Sequence, residues 1–286
     1  MSTLDQFESV FNAAAKDAFT PQYIKIKRVL IIQDLPEALQ DDLLYLVKGF
    51  LSVLEQNTEV EWKLFGSTES SKMHDMLEAV ESNRPDLIVT YRHLHCDAVD
   101  WAYGLGTHID VLTQATTTPV LILPNLDRNN LSNHSLKKTK QVMAVTDHLA
   151  GDHSLVSYSA LFTQTGGTLF LAHVEDKAVF DRYISAISKI PDLDTETASE
   201  QIKDRLLKDP NDYVESCKDN LAETFPTINI EHWVQLGCRM SDYRNLIDKH
   251  EIDLLVMYTK DDEQLAMHGV AYPLAVELRT TPLLML

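Results

Sequence analysis

Lys27-Arg28-Val29-Leu30-Ile31-Ile32-Gln33-Asp34 returns in outline as Lys140-Gln141-Val142-Met143-Ala144-Val145-Thr146-Asp147: a basic opening, an apolar run, a closing aspartate. Short continuous apolar runs rich in β-branched residues are the mark of parallel strands covered on both faces. Two further pairs follow in the same order. Pro85-Asp86-Leu87-Ile88-Val89-Thr90-Tyr91 matches Ile252-Asp253-Leu254-Leu255-Val256-Met257-Tyr258. Thr118-Pro119-Val120-Leu121-Ile122-Leu123 matches Thr281-Pro282-Leu283-Leu284-Met285-Leu286. Three matched pairs in one order make an internal repeat.

Helical patterns lie between the strands. Leu39–Leu54 and Leu155–Phe162 follow the first strand of each half, Met73–Val80 and Tyr243–Asp248 precede the penultimate one, and Ile109–Gln114 and Ala271–Leu278 precede the last. Strand alternating with helix predicts βαβ units with right-handed crossovers. The expected fold is α/β: two doubly wound parallel-sheet units packed as a pseudo-dimer. A shortened first domain spans 1–124 with an amino-terminal helix (Phe7, Val10, Phe11 and Ala14 at helical spacing). A polar linker covers 125–139 and a complete second domain 140–286.

The halves are unequal. The first passes almost directly from the strand Glu59–Phe65 to its next helix and has lost one strand with its helix. The second, after Thr168–Val174, keeps a long stretch, 176–226, before the strand Asn229–Leu236. Within that stretch Phe180–Ile190 and Ile202–Leu207 read as helices, separated by polar breakers that include Thr195 through Ser199. Phe180, Tyr183, Ile184 and Ile187 share one helical face.

Formal charge is 25 − 43 = −18. Residues 1–130 carry 10 − 19 = −9 and residues 131–286 carry 15 − 24 = −9, so the acidity is not a tail. Such a surface repels phosphate backbones and anionic lipid, which argues against nucleic acid and membrane surfaces as partners. No apolar run reaches the roughly 18 residues of a membrane span, and the first residues carry acids where a secretory signal carries lysines. The cytoplasm is the expected location. Cys96, Cys217 and Cys238 show no metal-ribbon or disulfide spacing and are expected as reduced thiols.

These residues resemble the universal stress protein family in its tandem form, from about Lys27 onward. In that family the first strand ends in an aspartate that faces adenine and ribose, and Asp34 and Asp147 hold that position. Leu171-Ala172-His173-Val174 resembles the motif ending the second strand. Gly106-Thr107 and Gly269-Val270 resemble the glycine opening the last helix. The resemblance implies an adenine nucleotide alpha hydrolase-like fold and a cofactor-binding set of Asp34, Gly106, Thr107, Asp147 and Gly269.

The family's ATP binders also carry two earlier glycines, which let backbone approach phosphate. Here those positions read Tyr91 and Leu94 in one half, Tyr258 and Asp261 in the other. Asp261-Asp262-Glu263 adds negative charge where a triphosphate would sit. No cofactor is therefore expected, with ATP or AMP as the alternative.

Other groupings carry less. His93-Leu94-His95-Cys96 reads as a polar loop rather than a metal edge, and no metal residues are assigned. His108 and His268 read as helix-entry residues, and Asp147-His148 and Asp152-His153 as loop charges. No nucleophile elbow accompanies them, so no catalytic residue is assigned and no enzyme is expected. Ser154, Ser157, Ser159 and Thr163 are candidate phosphorylation positions. The expected role is a stress-response or regulatory protein acting through a small ligand or a regulatory protein partner, as a monomeric pseudo-dimer or homodimer. The alternatives are an ATP or AMP binder with slow ATPase activity, and an unrelated α/β enzyme or regulatory domain.

Overall fold

The structure, a computed structural model, describes residues 18–56, 58–66, 72–96, 104–127, 131, 136–146, 149, 151–191, 193–259 and 271–286. The amino-terminal helix expected over Phe7–Ala14 lies outside them.

In the first half the strands are β1 (Arg28–Gln33), β2 (Glu61–Gly66), β3 (Leu87–Tyr91) and β4 (Val120–Leu123). The second contributes β5 (Gln141–Val145), β6 (Thr168–Asp176), β7 (Asn229–Gly237), β8 (Leu254–Met257) and β9 (Leu283–Met285). All nine form one sheet, in the order β2-β1-β3-β4-β9-β8-β5-β6-β7. Among the described residues every strand pairing is parallel except β4 with β9, where Val120 faces Met285 and Ile122 faces Leu283. The strands of the two halves thus belong to one continuous sheet. The halves join edge to edge.

Burial explains why these runs are strands. Every residue of β3, β4, β8 and β9 is buried, as β-branched and aliphatic side chains covered on both faces should be. The outer strands β2 and β7 show mixed exposed and half-buried positions instead.

The helices are α1 (Glu37–Phe50), α2 (Met73–Asn83), α3 (Thr107–Ala115), α4 (His153–Phe162), α5 (Lys177–Ile187), α6 (Thr195–Thr224), α7 (Arg239–Lys249) and α8 (Ala271–Glu277). The chain steps outward from β1 to β2 and then back past β1 to β3 and β4. Right-handed crossovers therefore place α1 on one face and α2 and α3 on the other. By the same rule α4, α5 and α6 share one face, with α7 and α8 opposite. Each reversal, between β1 and β3 and between β5 and β8, leaves a crevice at the carboxyl ends of the strands, the usual ligand position in such sheets.

One expectation fails. Thr195–Ser199 are not breakers but the opening of the 30-residue α6. Asp194 caps it, its side chain accepting from the backbone N–H groups of Glu196 and Thr197, and Glu196 sits in the first turn against the helix dipole. These bonds, that to the Thr197 hydroxyl foremost, hold the Asp194 carboxyl below its ordinary range. Pro210 lies inside the same helix and is buried, removing one rung of the backbone ladder.

An amino-terminal arm ties the halves together. Phe19 N–H donates to Ser216 Oγ on α6 (2.8 Å) and Gln22 N–H to Ser157 Oγ on α4 (3.0 Å), before the chain enters β1. Among the described residues, no helix is long and apolar enough to cross a membrane.

Candidate functional site

At the first reversal, β1 and β3 run in register, with Ile31 beside Val89. Asp34 leaves β1 next to Tyr91, the last residue of β3. The Tyr91 hydroxyl accepts the Asp34 backbone N–H (2.8 Å) and donates to Asp34 Oδ1. On the other side Oδ2 accepts the backbone N–H of His95 (2.8 Å), with His95 Nδ1 3.7 Å away. The carboxylate side chain is left 7% exposed. A group that would have to reach a ribose is engaged on both oxygens by its own chain.

The loop after β3 makes this closure. His93 and His95 both adopt the left-handed region, at φ 63° and 56°, a conformation costing of order 1–3 kcal/mol at a residue other than glycine. The two turns fold residues 92–96 back over the strand ends. Leu94 is driven to 0% exposure, and His93 N–H donates to Leu105 O at 3.0 Å. Gly106 has φ 104°, and a Cβ there would lie 3.1 Å from Cys96 Sγ and 3.4 Å from His93 Cα. The glycine thus permits close approach of the loop to the start of α3. Thr107 is the first, exposed residue of α3. His108 follows, its ring 4.9 Å from that of His95. Asp110, in the same turn, has its carboxyl raised by burial.

Arg92 carries the loop into the second half. Buried to 2% exposure, its Nη2 donates to the carbonyls of Ala275 and Leu278 (2.6 Å to the latter), at the carboxyl end of α8. Carbonyls there bear partial negative charge, which suits a guanidinium. Burial, aided by nearby Arg279, lowers its pKa to about 10, so it stays charged at neutral pH.

Of the five residues expected to bind a cofactor, the structure brings Asp34 and Gly106 to opposite sides of one loop and puts Thr107 beside them. Asp147 and Gly269 lie outside the described residues, as do His148, His268 and the acidic run 261–263. The described rim of the second crevice is polar. Thr146 Oγ1 donates to Asp152 Oδ2 (2.5 Å), and the Tyr243 hydroxyl accepts from Val174 N–H (3.0 Å) and donates to Thr146 O (3.4 Å). Tyr258 follows β8, as Tyr91 ends β3, and burial raises its phenol. His173 is buried, with Nε2 3.3 Å from Glu175.

Asp152 and His153 are not simple loop charges. Asp152 precedes α4, and His153 Nδ1 accepts from the Tyr213 hydroxyl of α6 (2.9 Å) and from Thr20 N–H (3.4 Å). Phe19 packs edge-on against both rings. Burial pushes the Tyr213 phenol well above its ordinary value. Ser157, Ser159 and Thr163 are buried and bonded to backbone carbonyls, which puts them out of reach of a kinase in the folded chain.

Tyr91 and Leu94 were visible in the sequence as departures from glycine. His95 and Arg92 were not, because their roles lie in a backbone amide and in a contact 183 residues away.

Neither a protein-family model nor a curated protein sequence matches the chain. Solved structures do. One described as a universal stress protein of Pseudomonas aeruginosa UCBPP-PA14 superposes with a TM-score of 0.54 at 15% identity, covering 91% of this chain and 93% of that one. A protein of unknown function from Pseudomonas aeruginosa PAO1 superposes with a TM-score of 0.50 at 15% identity, covering 91% and 92%. The likeness is one of fold, and extends over nearly the whole chain.

Proposed function

We propose that this chain is a stress-response or regulatory protein of the universal stress protein type, with two such units in tandem, that acts by binding and has no strong affinity for ATP. One observation carries the reading. The Asp34 carboxylate at the first strand reversal is held by the Tyr91 hydroxyl and the His95 amide, and Leu94 fills the space behind them. A nucleotide would have to displace these bonds, and each buried polar group left unpaired costs about 1–3 kcal/mol. The chain's own loop stands where a phosphate loop would need open backbone.

In this reading the protein works without catalysis of its own and without a resident cofactor, through a regulatory protein partner or a small ligand. The polar rim of the second crevice, around Thr146, Asp152 and Tyr258, is the place for such a ligand. The single chain already contains the paired arrangement and needs no second copy to complete it.

Calorimetric titration of the full chain with ATP and AMP, alongside native mass spectrometry of gently purified protein, tests this. The expected result is no saturable heat below millimolar nucleotide and a clean polypeptide mass. Micromolar affinity weakened by Asp34→Ala, or a nucleotide that co-purifies, would establish the alternative of an ATP or AMP binder with slow ATPase activity.

A further inference from the structure

The arm that ties the halves together also roofs a cavity of about 320 Å³. Its apolar wall is Ile24 of the arm, Val53 and Leu54 beyond α1, Leu161 of α4, and Leu221 and Phe225 at the end of α6. Helices α1 and α4 each follow the carboxyl end of a strand, starting at Glu37 and His153, and run back along the sheet. Their last turns lie at the amino ends of the strands. The cavity is therefore at the opposite edge of the sheet from the Asp34 crevice, and the proposed function makes no use of it.

Small-molecule sites are typically concave, mostly apolar, and roughly 300–1,000 Å³ in volume, with a few polar groups that fix orientation. Here the walls come from four separate parts of the chain, and Val53, Leu54 and Leu221 are each less than 10% exposed. Ser157 at one side is already engaged, accepting from Gln22 N–H and donating to His153 O. Gln22, Tyr23, Thr58 and Thr224 add neutral polar groups to the lining, and charge then separates an anionic ligand from a neutral one. Among the described lining residues Lys25 is the one charged side chain, and no acid accompanies it. Lys25 is exposed at the mouth, on a chain of net charge −18. A single cation beside an apolar cavity favours a ligand with a hydrocarbon body and one anionic end.

We propose that this cavity binds a medium-chain monocarboxylic acid, its chain among Ile24, Leu161 and Leu221 and its carboxylate at Lys25. Because arm, α4 and α6 all line the site, occupancy fastens the arm to the second half and stabilises the folded chain.

Titration of the full chain with decanoate, and separately with 1-decanol, tests the proposal. Decanoate should saturate one site per chain, raise the melting temperature, and bind about fivefold tighter than 1-decanol, the size of one exposed ion pair. Lys25→Glu should remove that advantage and leave 1-decanol unchanged. Thr224→Trp changes an exposed residue at the rim. It should weaken both ligands about tenfold or more while leaving the circular dichroism spectrum intact. Absence of saturable decanoate binding, or wild-type binding in Thr224→Trp, overturns the site. Equal affinity for acid and alcohol, with no effect of Lys25→Glu, overturns the carboxylate.

Discussion

Tyr91 is the residue on which the first crevice turns, because its hydroxyl is both acceptor and donor to Asp34. Tyr91→Phe removes that oxygen and with it both of the hydroxyl's bonds to Asp34. We expect a loss of about 1–3 kcal/mol in denaturant unfolding, with no gain in ATP affinity, since Leu94 still fills the space. A loss within error would mean that water replaces the hydroxyl freely. The cysteines offer a second check. Burial pushes the Cys217 thiol up to about 12, and the side chain is 0% exposed, whereas Cys238 is exposed. At pH 8 the Cys217 side chain is held as the thiol, while the thiolate is the reactive form. Iodoacetamide should therefore modify Cys238 in the native chain and spare Cys217 until denaturant is added. Rapid native labelling of Cys217 would show that α6 opens readily. In the sequence, Tyr91 could be seen to displace a glycine, but its bond to Asp34 depends on the β1–β3 register. The left-handed turns at His93 and His95 left no trace at all, because neither residue is a glycine.

Among the elements, strands were easier to read than helices. Continuous apolar runs such as Leu87–Tyr91 and Val142–Val145 have few competing conformations once both faces are buried. The polar opening of α6 was misleading because Thr195–Ser199 offers a single small apolar residue, Ala198, too little to mark a period. Its helicity comes instead from the cap. Asp194→Ala should loosen the first turn and show first as faster amide exchange over residues 195–200. Unchanged exchange there would mean that packing on α5, through the half-buried Ile184 and Ile187, holds the turn without its cap. Of the residues sharing one helical face of α5, Phe180 is buried while Tyr183 is 56% exposed.

At the scale of the whole molecule, the antiparallel pairing of β4 with β9 joins the strands of the two halves into one sheet. Residues 125–286 expressed alone would leave β9 without its neighbour. An antiparallel contact is self-complementary, so β9 can pair with a second β9 about a two-fold axis. Analytical ultracentrifugation should find that fragment dimeric and the full chain with one fewer exposed edge. A strictly monomeric fragment would indicate that the arm and Arg92, rather than the strand pairing, hold the halves. The strand runs were legible in the sequence, but the edge-to-edge junction was not. Both β4 and β9 are short, and nothing in either names its partner.

That junction also sets a schedule for the newborn chain. Strand β4 ends at residue 123, and its partner begins at residue 283, so the ribosome must add some 160 residues in between. At about 5–20 residues per second this takes roughly 8–30 seconds. Throughout that interval the finished first half presents an open, apolar sheet edge, and Arg92 waits for carbonyls that have not been made. A nascent chain in this condition is a natural client for ribosome-associated chaperones, and translation that stalls late would release a half-molecule with an adhesive border.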